Sequence, residues 1–308
     1  MDHFINTHSS QNCIETYDLH HRFSSGQVAV DKLSLTIPTG SIYGFLGPNG
    51  AGKTTTLRIL LGLLKKQKGE VYFFGKPIKE LREDFLKEVG SMIETPSVYG
   101  HLTATDNLRV WAKMYNTPMD RIDKVLSIVG LSHTGNKKAS MFSLGMKQRL
   151  GIAIALLHEP RVLILDEPTN GLDPNGIIEI RELLKKMNRE QGITILISSH
   201  ILSEIEKLVT HLGIISNGVM KFQGTLSDLE QKQNKGVLIR TTNNKEAITI
   251  LRDLQFPVSF MEDDIVFVTN ERKEVAEAIS QLALASVGVY SVEWGASTLE
   301  DIFMELIN

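Results

Sequence analysis

Between Gly47 and Thr55 the chain reads Gly47-Pro48-Asn49-Gly50-Ala51-Gly52-Lys53-Thr54-Thr55, which has the form G-x-x-x-x-G-K-[ST]. Glycines let successive backbone N–H groups turn toward one anion at the positive end of a helix, where Cβ atoms would obstruct it. In such a loop Lys53 reaches the β- and γ-phosphates of a nucleotide and the Thr54 hydroxyl ligates Mg²⁺. A glycine-rich turn without a ligand is the plain alternative. The strand before, the helix after and the placing of Lys and Thr favour the phosphate. Farther on, Asp166 and Glu167 close an apolar run from Arg161. Unpaired acids there are costly, so they ask for a cation or for partners, unless they are solvent-facing loop carboxylates. His200 ends a second apolar run, where a lone histidine is commonly a satisfied polar residue. Phe23, in a turn with Ser24, Ser25 and Gly26, either stacks on a purine or closes a small β core.

These residues need elements that bring them together. Ser41 to Leu46 is a short apolar run typical of a buried parallel strand, and Leu57 to Leu64 supplies a helix, so the glycine loop joins strand to helix. Ile14 to Leu19 and Gln27 to Ile37 read as an antiparallel edge ahead of it, and Gly69 to Gly75 as another strand. Lys79 to Val89 is helical by its Leu81, Phe85, Leu86 and Val89 spacing, and Ser91 to Pro96 is extended, which places Glu94 at a strand end. From Thr103 to about Gly130 two helices follow, with Thr105-Asp106 as a cap. A polar connection from Asn136 leads to Met141–Arg149, and Leu150 to Leu157 continues as an apolar helix. Arg161 to Pro168 and Ile193 to His200 are buried strands around a helix from Ile177 to Met187. A hairpin then turns at Asn217-Gly218.

The expected boundaries are an extension over 1–13, a main domain over 14–228 with a helical part at about 95–158, a polar linker over 229–236, and a small domain over 237–308. The last has βαββαβ order, ferredoxin-like in sequence, and contains no recognisable catalytic cluster; a binding, regulatory or dimer-stabilising role suits it.

Composition excludes several classes. With 308 residues, 42% hydrophobic and 22% charged, the chain is long enough and ordinary enough for one sizeable and one smaller domain. A formal net charge of −3 argues against strong non-specific nucleic-acid binding. One cysteine, Cys13, allows neither an internal disulfide nor a cysteine zinc site and fits a reducing cytosol. The start lacks the order of a signal peptide, and no uninterrupted apolar run approaches a membrane span. A membrane role therefore requires a partner.

The glycine loop, Phe142-Ser-Leu-Gly-Met-Lys-Gln-Arg149, Leu163-Ile-Leu-Asp-Glu-Pro-Thr-Asn-Gly-Leu-Asp173 and Ser198-Ser-His200 occur in an order that resembles the nucleotide-binding subunit of an ABC transporter, over about Ile14 to Leu226. The chain is most similar to bacterial exporter subunits that remove peptide antibiotics, of the bacitracin and lantibiotic self-protection kind, and Ser297–Phe303 resembles their ending. The resemblance implies an α/β P-loop NTPase fold with an antiparallel β subdomain, a helical signature subdomain and a small C-terminal α+β domain. It implies that ATP and Mg²⁺ are bound, Asp166 holding the ion through water and Glu167 acting as general base. His200 becomes the switch at the γ-phosphate, and Phe23 the adenine-stacking aromatic. Asp173 lies across a dimer interface, and Ser143 and Gly145 clasp the γ-phosphate held by the opposite subunit. The implied assembly is a head-to-tail homodimer, or a pair with a similar ATPase subunit, on an integral membrane permease at the cytoplasmic face of the membrane. Two departures stand out. Leu144 and Met146 replace a Gly and a Gln of the usual signature, and Glu94 stands where a Mg²⁺-ligating Gln is usual. A carboxylate there binds Mg²⁺ more strongly but adds negative charge near the phosphates.

Two rivals remain: a soluble ATPase of this type acting on nucleic acid or the ribosome, and a nucleotide-dependent regulatory module. Against the first stand the short interval between loop and signature, with no heptads, and the single cassette. Glu167 weighs against the second, since a pure sensor has no need of a base.

Overall fold

The structure, a computed structural model, describes residues 11–94, 96–231, 235–261, 264–267, 269, 271–296 and 299–307. It divides into a first unit up to Leu226, with the last residues from Leu306, and a second from Ser227 to Glu305.

Strands β1 (Asn12–Arg22) and β2 (Val28–Pro38) form a long antiparallel ladder with Thr16 opposite Leu35. β1 starts ahead of the expected Ile14 boundary because Cys13 is already buried within it. β3 (Ile42–Leu46) is buried along its whole length and ends at the glycine loop, from which α1 (Lys53–Leu60) departs. The apolar run to Leu64 suggests a longer helix. It stops at Leu60 because Gly62 takes a positive φ of 69° and the Leu63 and Leu64 amides fold back to the Arg58 carbonyl. β4 (Lys68–Phe73) and β5 (Lys76–Pro77) complete an antiparallel sheet in the order β2-β1-β4-β5.

Next come α2 (Ile78–Glu88) and β6 (Val89–Met92). The extended segment expected to reach Pro96 closes at Met92, and Thr95 lies outside the described residues. A helical group follows: α3 (Ala104–Tyr115), α4 (Asp120–Ile128) and α5 (Leu144–Leu156). The cap of α3 is Thr103 rather than Thr105, since it is the Thr103 hydroxyl that accepts the Asp106 amide. α5 buries residues around its whole circumference from Leu150 to Leu156, as a helix covered on all sides must.

The remaining elements of this unit are β7 (Val162–Leu165), α6 (Pro174–Gln191), β8 (Thr194–Ser199), α7 (Leu202–Ile205), β9 (His211–Ser216) and β10 (Val219–Thr225). They build a sheet in the order β10-β9-β3-β8-β7-β6, parallel except for β10, which returns from β9 through Asn217-Gly218, both at positive φ. Leu46 pairs with Ser199, and Leu165 with both Ile197 and Met92. Four strands thus release their chains at one edge, and in open parallel sheets ligands bind outside those carboxyl ends. One apolar cluster, including Ile14, Leu35, Phe45, Leu57, Phe73 and Leu196, joins both sheets and α1.

α8 (Leu226–Glu230) leads toward the second unit, which runs β11 (Lys235–Thr241), α9 (Asn244–Asp253), β12 (Val258–Met261), β13 (Asp264–Phe267), α10 (Arg272–Leu284), β14 (Val289–Ala296) and α11 (Leu299–Ile307). The sheet order is β12-β13-β11-β14, every neighbour antiparallel, over a core that includes Val237, Ile239, Leu251, Phe267 and Leu282. The expected linker over 229–236 is shortened from both sides: α8 continues to Glu230, and Lys235 and Gly236 pair with Ala296 and Gly295. Backbone pairing recruits them whatever their side-chain polarity. No helix among the described residues is long and apolar enough to cross a membrane.

Candidate functional site

The glycine loop is fixed by its neighbours before any ligand is considered. Gly52 opens α1 at φ 107°, and a Cβ there would lie 2.3 Å from the Ala29 carbonyl oxygen. A Cβ on Gly47 would lie equally close, 2.3 Å, to the Ile215 carbonyl oxygen. No side chain fits at either position, so the loop is held between β2 and β9. The first amides of α1, like those of any helix, have no intrahelical partner, the arrangement that suits an anion.

Lys53 is only 6% exposed. Its Nζ donates to the Gly47 carbonyl at 2.7 Å and to the Pro48 carbonyl at 3.3 Å, and lies 3.2 Å from Glu167 Oε1. Thr54 Oγ1 donates to Asp166 Oδ2 at 2.7 Å. Asp166, one residue past β7, is buried, and its other oxygen accepts from the Ser198 hydroxyl. Ser198 Oγ in turn accepts the Glu167 amide at 2.9 Å. His200 Nδ1 lies 2.8 Å from Glu167 Oε2, and because an ionised carboxylate only accepts, that nitrogen carries the proton. Glu167 therefore bridges Lys53 and His200, with its backbone in the left-handed region at φ 47°.

Lys53, Thr54, Glu167 and His200 border a cleft of about 360 Å³ that Phe23, Gln27, Asn49, Gly50, Thr55 and Asn170 also line. Of the two readings open for Phe23, the structure places it on the cleft wall, 39% exposed, with its ring edge-to-face to His21 at 5.1 Å. It closes no core. Ala51 is buried beneath the loop and accepts the Gly218 amide through its carbonyl.

Other residues lie elsewhere. Glu94, at φ 66° and 62% exposed, gives its carboxylate to Arg58 on α1 rather than joining the Thr54–Asp166 hydrogen bond. Ser143 caps α5 by accepting the Met146 amide at 3.3 Å, and Asp173 caps α6 by accepting the Gly176 amide at 3.2 Å. Both, with Gly145, Leu144, Leu172 and Glu179, line a second concavity of about 290 Å³, and none of them lines the cleft. Sequence reasoning missed two partners: Ser198 between the acids, and Arg58 opposite Glu94. For Ser198 the signal was present as polar residues ending an apolar run. For Arg58 there was none, since its partner is remote in sequence.

A family model described as ABC transporter matches residues 30–170. The chain is 43% identical to the bacitracin transport ATP-binding protein BcrA of Bacillus licheniformis, over 96% of this chain and 97% of that one. It is 44% identical to the lantibiotic transport ATP-binding protein SrtF of Streptococcus pyogenes, over 68% of this chain and 91% of the relative. Among solved structures, cbiO1 from Clostridium perfringens, part of an ABC transporter complex, superposes with a TM-score of 0.67 at 28% identity, over 80% of this chain and 96% of that one. A dimeric post-hydrolysis ATP-binding cassette bound to ADP and Pi gives 0.62 at 25% identity, over 69% and 98%. With identity running nearly end to end, and with loop, acids and histidine gathered at one sheet edge, the chain belongs to the ATP-binding proteins of ABC transporters.

Proposed function

We propose that this chain hydrolyses ATP to power export of a peptide antibiotic, of the bacitracin or lantibiotic kind, through a separate membrane permease that holds it at the cytoplasmic face of the membrane. One observation carries the reading: Lys53, Thr54, Glu167 and His200 line one cleft, with Asp166 hydrogen-bonded to Thr54 behind it, while Ser143, Gly145 and Asp173 line a different concavity.

The residues fit a nucleotide with Mg²⁺. Thr54 and Asp166 present two hard oxygens 2.7 Å apart, the donor type this ion prefers, and they would hold it. Bound there, the ion would supply positive charge that offsets the charge of the phosphates. Phe23 offers its exposed face to the base. Lys53 exchanges its carbonyl and Glu167 partners for phosphate oxygens, at the positive end of α1. Glu167, freed from Lys53, takes a proton from the water whose oxygen attacks the γ-phosphorus as the bond to the bridging oxygen breaks. His200 orients Glu167 and contacts the γ-phosphate. Ser143 and Gly145 of a second copy close over that phosphate, with Asp173 at the same seam, so each cleft is completed by its partner. The relatives named for bacitracin and lantibiotic transport support the choice of cargo.

The test is Glu167→Gln. Turnover falls by about 10²- to 10⁴-fold while ATP binding persists, and an ATP-bound dimer accumulates, read by hydrolysis assays and light scattering. Wild-type turnover in the variant would overturn the assignment.

A further inference from the structure

Ser198 puts a hydroxyl near the end of β8, directly behind the apolar run Ile195, Leu196 and Ile197, and is itself fully buried. A buried hydroxyl must find partners, and this one finds two on the neighbouring strand's continuation. Its roles are forced by chemistry. A carboxylate only accepts, so Oγ–H donates to Asp166 Oδ1; an amide only donates, so Oγ accepts from Glu167 N–H. Both bonds form just past Leu165, where β7 ends.

Each bond fixes something the chemistry needs. With Oδ1 engaged by Ser198, Asp166 turns Oδ2 to Thr54. Glu167 stands at φ 47°, a conformation that non-glycine residues keep only where their surroundings hold it, and the Ser198 hydroxyl holds its amide. From there its carboxylate spans Lys53 and His200.

We infer that Ser198 is a positioning residue for hydrolysis: one hydroxyl sets both the metal-facing oxygen of Asp166 and the backbone of the base Glu167. The inference rests on the roles proposed above for those two acids. It is tested on the full-length chain by measuring ATP hydrolysis against ATP and against Mg²⁺, and equilibrium binding of a fluorescent non-hydrolysable ATP analogue with and without Mg²⁺, for Ser198→Ala, Ser198→Thr and Glu167→Gln. Loss of an outer hydrogen bond to a ligating group costs roughly 10- to 100-fold, so Ser198→Ala lowers kcat by that factor and raises the half-saturating Mg²⁺ several-fold. The KM for ATP stays within about threefold, because Lys53 and the loop amides are untouched. Ser198→Thr, which keeps the hydroxyl, recovers most of kcat. Wild-type kcat and Mg²⁺ dependence in Ser198→Ala would overturn the inference. So would equal damage in the Thr and Ala variants, or a loss of ATP affinity as large as the loss of kcat, since either marks packing alone. Glu167→Gln turning over at the wild-type rate would instead sink the assignment of the base.

Discussion

Lys53 and Glu167 stand 3.2 Å apart, so the cation proposed to take a phosphate is neutralised by the carboxylate proposed to activate a water. A lysine this buried needs such partners. The glycine loop and the acid pair are readable in the sequence because each is a contiguous string whose chemistry is local. The pairings of Ser198 and Arg58 are not, because their partners come from other strands and loops, although Ser198 itself stands out as a polar residue ending an apolar run. A half-buried side chain gives a pH prediction. His158, after α5, donates Nε2–H to the Val89 carbonyl at 3.3 Å and packs against Tyr115 at 4.7 Å, while Nδ1 is buried without a partner. Burial pushes its pKa below the usual 6.5. The unfolded chain then binds the proton more readily than the folded one, so stability from this group is complete above 6.5 and is lost as pH falls beneath it. The thermal midpoint of wild type therefore drops more steeply than that of His158→Gln between about pH 7 and pH 5.5. Parallel slopes would remove His158 as the cause.

At the scale of elements, the strand-loop-helix around Lys53 and the βαββαβ order of the second unit follow from hydrophobic pattern and turn residues. Helix ends are less readable. The run Leu61 to Leu64 looks helical by composition, yet Gly62 turns the chain out of the helix. Sheet order is not local either: β3 lies between β8 and β9, which come far later in the chain. Caps sit between these cases. Thr103 both accepts the Asp106 amide at 3.1 Å and donates to its carboxylate at 2.7 Å. Thr103→Ala therefore weakens the start of α3 by about 1 kcal/mol and speeds amide exchange there about fivefold, leaving exchange in β3 and β8 unchanged. Unaltered exchange in the first turn of α3 would contradict this reading of the cap.

For the whole molecule, the separation of Ser143, Gly145 and Asp173 from the cleft has a direct test by complementation. In the proposed head-to-tail dimer, Lys53→Ala spoils the loop of its own copy, and Ser143→Arg spoils what that copy lends its partner. Each alone is inactive. A mixed dimer contains one composite site with both halves intact, so mixing the two restores about a quarter of wild-type hydrolysis, the fraction expected from random pairing of symmetric dimers. No recovery on mixing would mean that one chain completes its own site. The proposed need for a second copy comes through family resemblance alone: hydrophobic pattern places helices from Leu150 and Ile177 and locates neither the Ser143 cap of α5 nor the Asp173 cap of α6.

The two glycines that frame the loop carry one more consequence. Gly47 and Gly52 are excluded from bearing side chains by the carbonyls of Ile215 and Ala29, which are packing neighbours and not ligands. A descendant of this chain that had lost its base and become a pseudoenzyme would still need both glycines simply to fold. Their retention in a degenerate copy marks an intact scaffold; on the proposed role of Glu167, the state of the acid after Asp166 tells whether it still turns over.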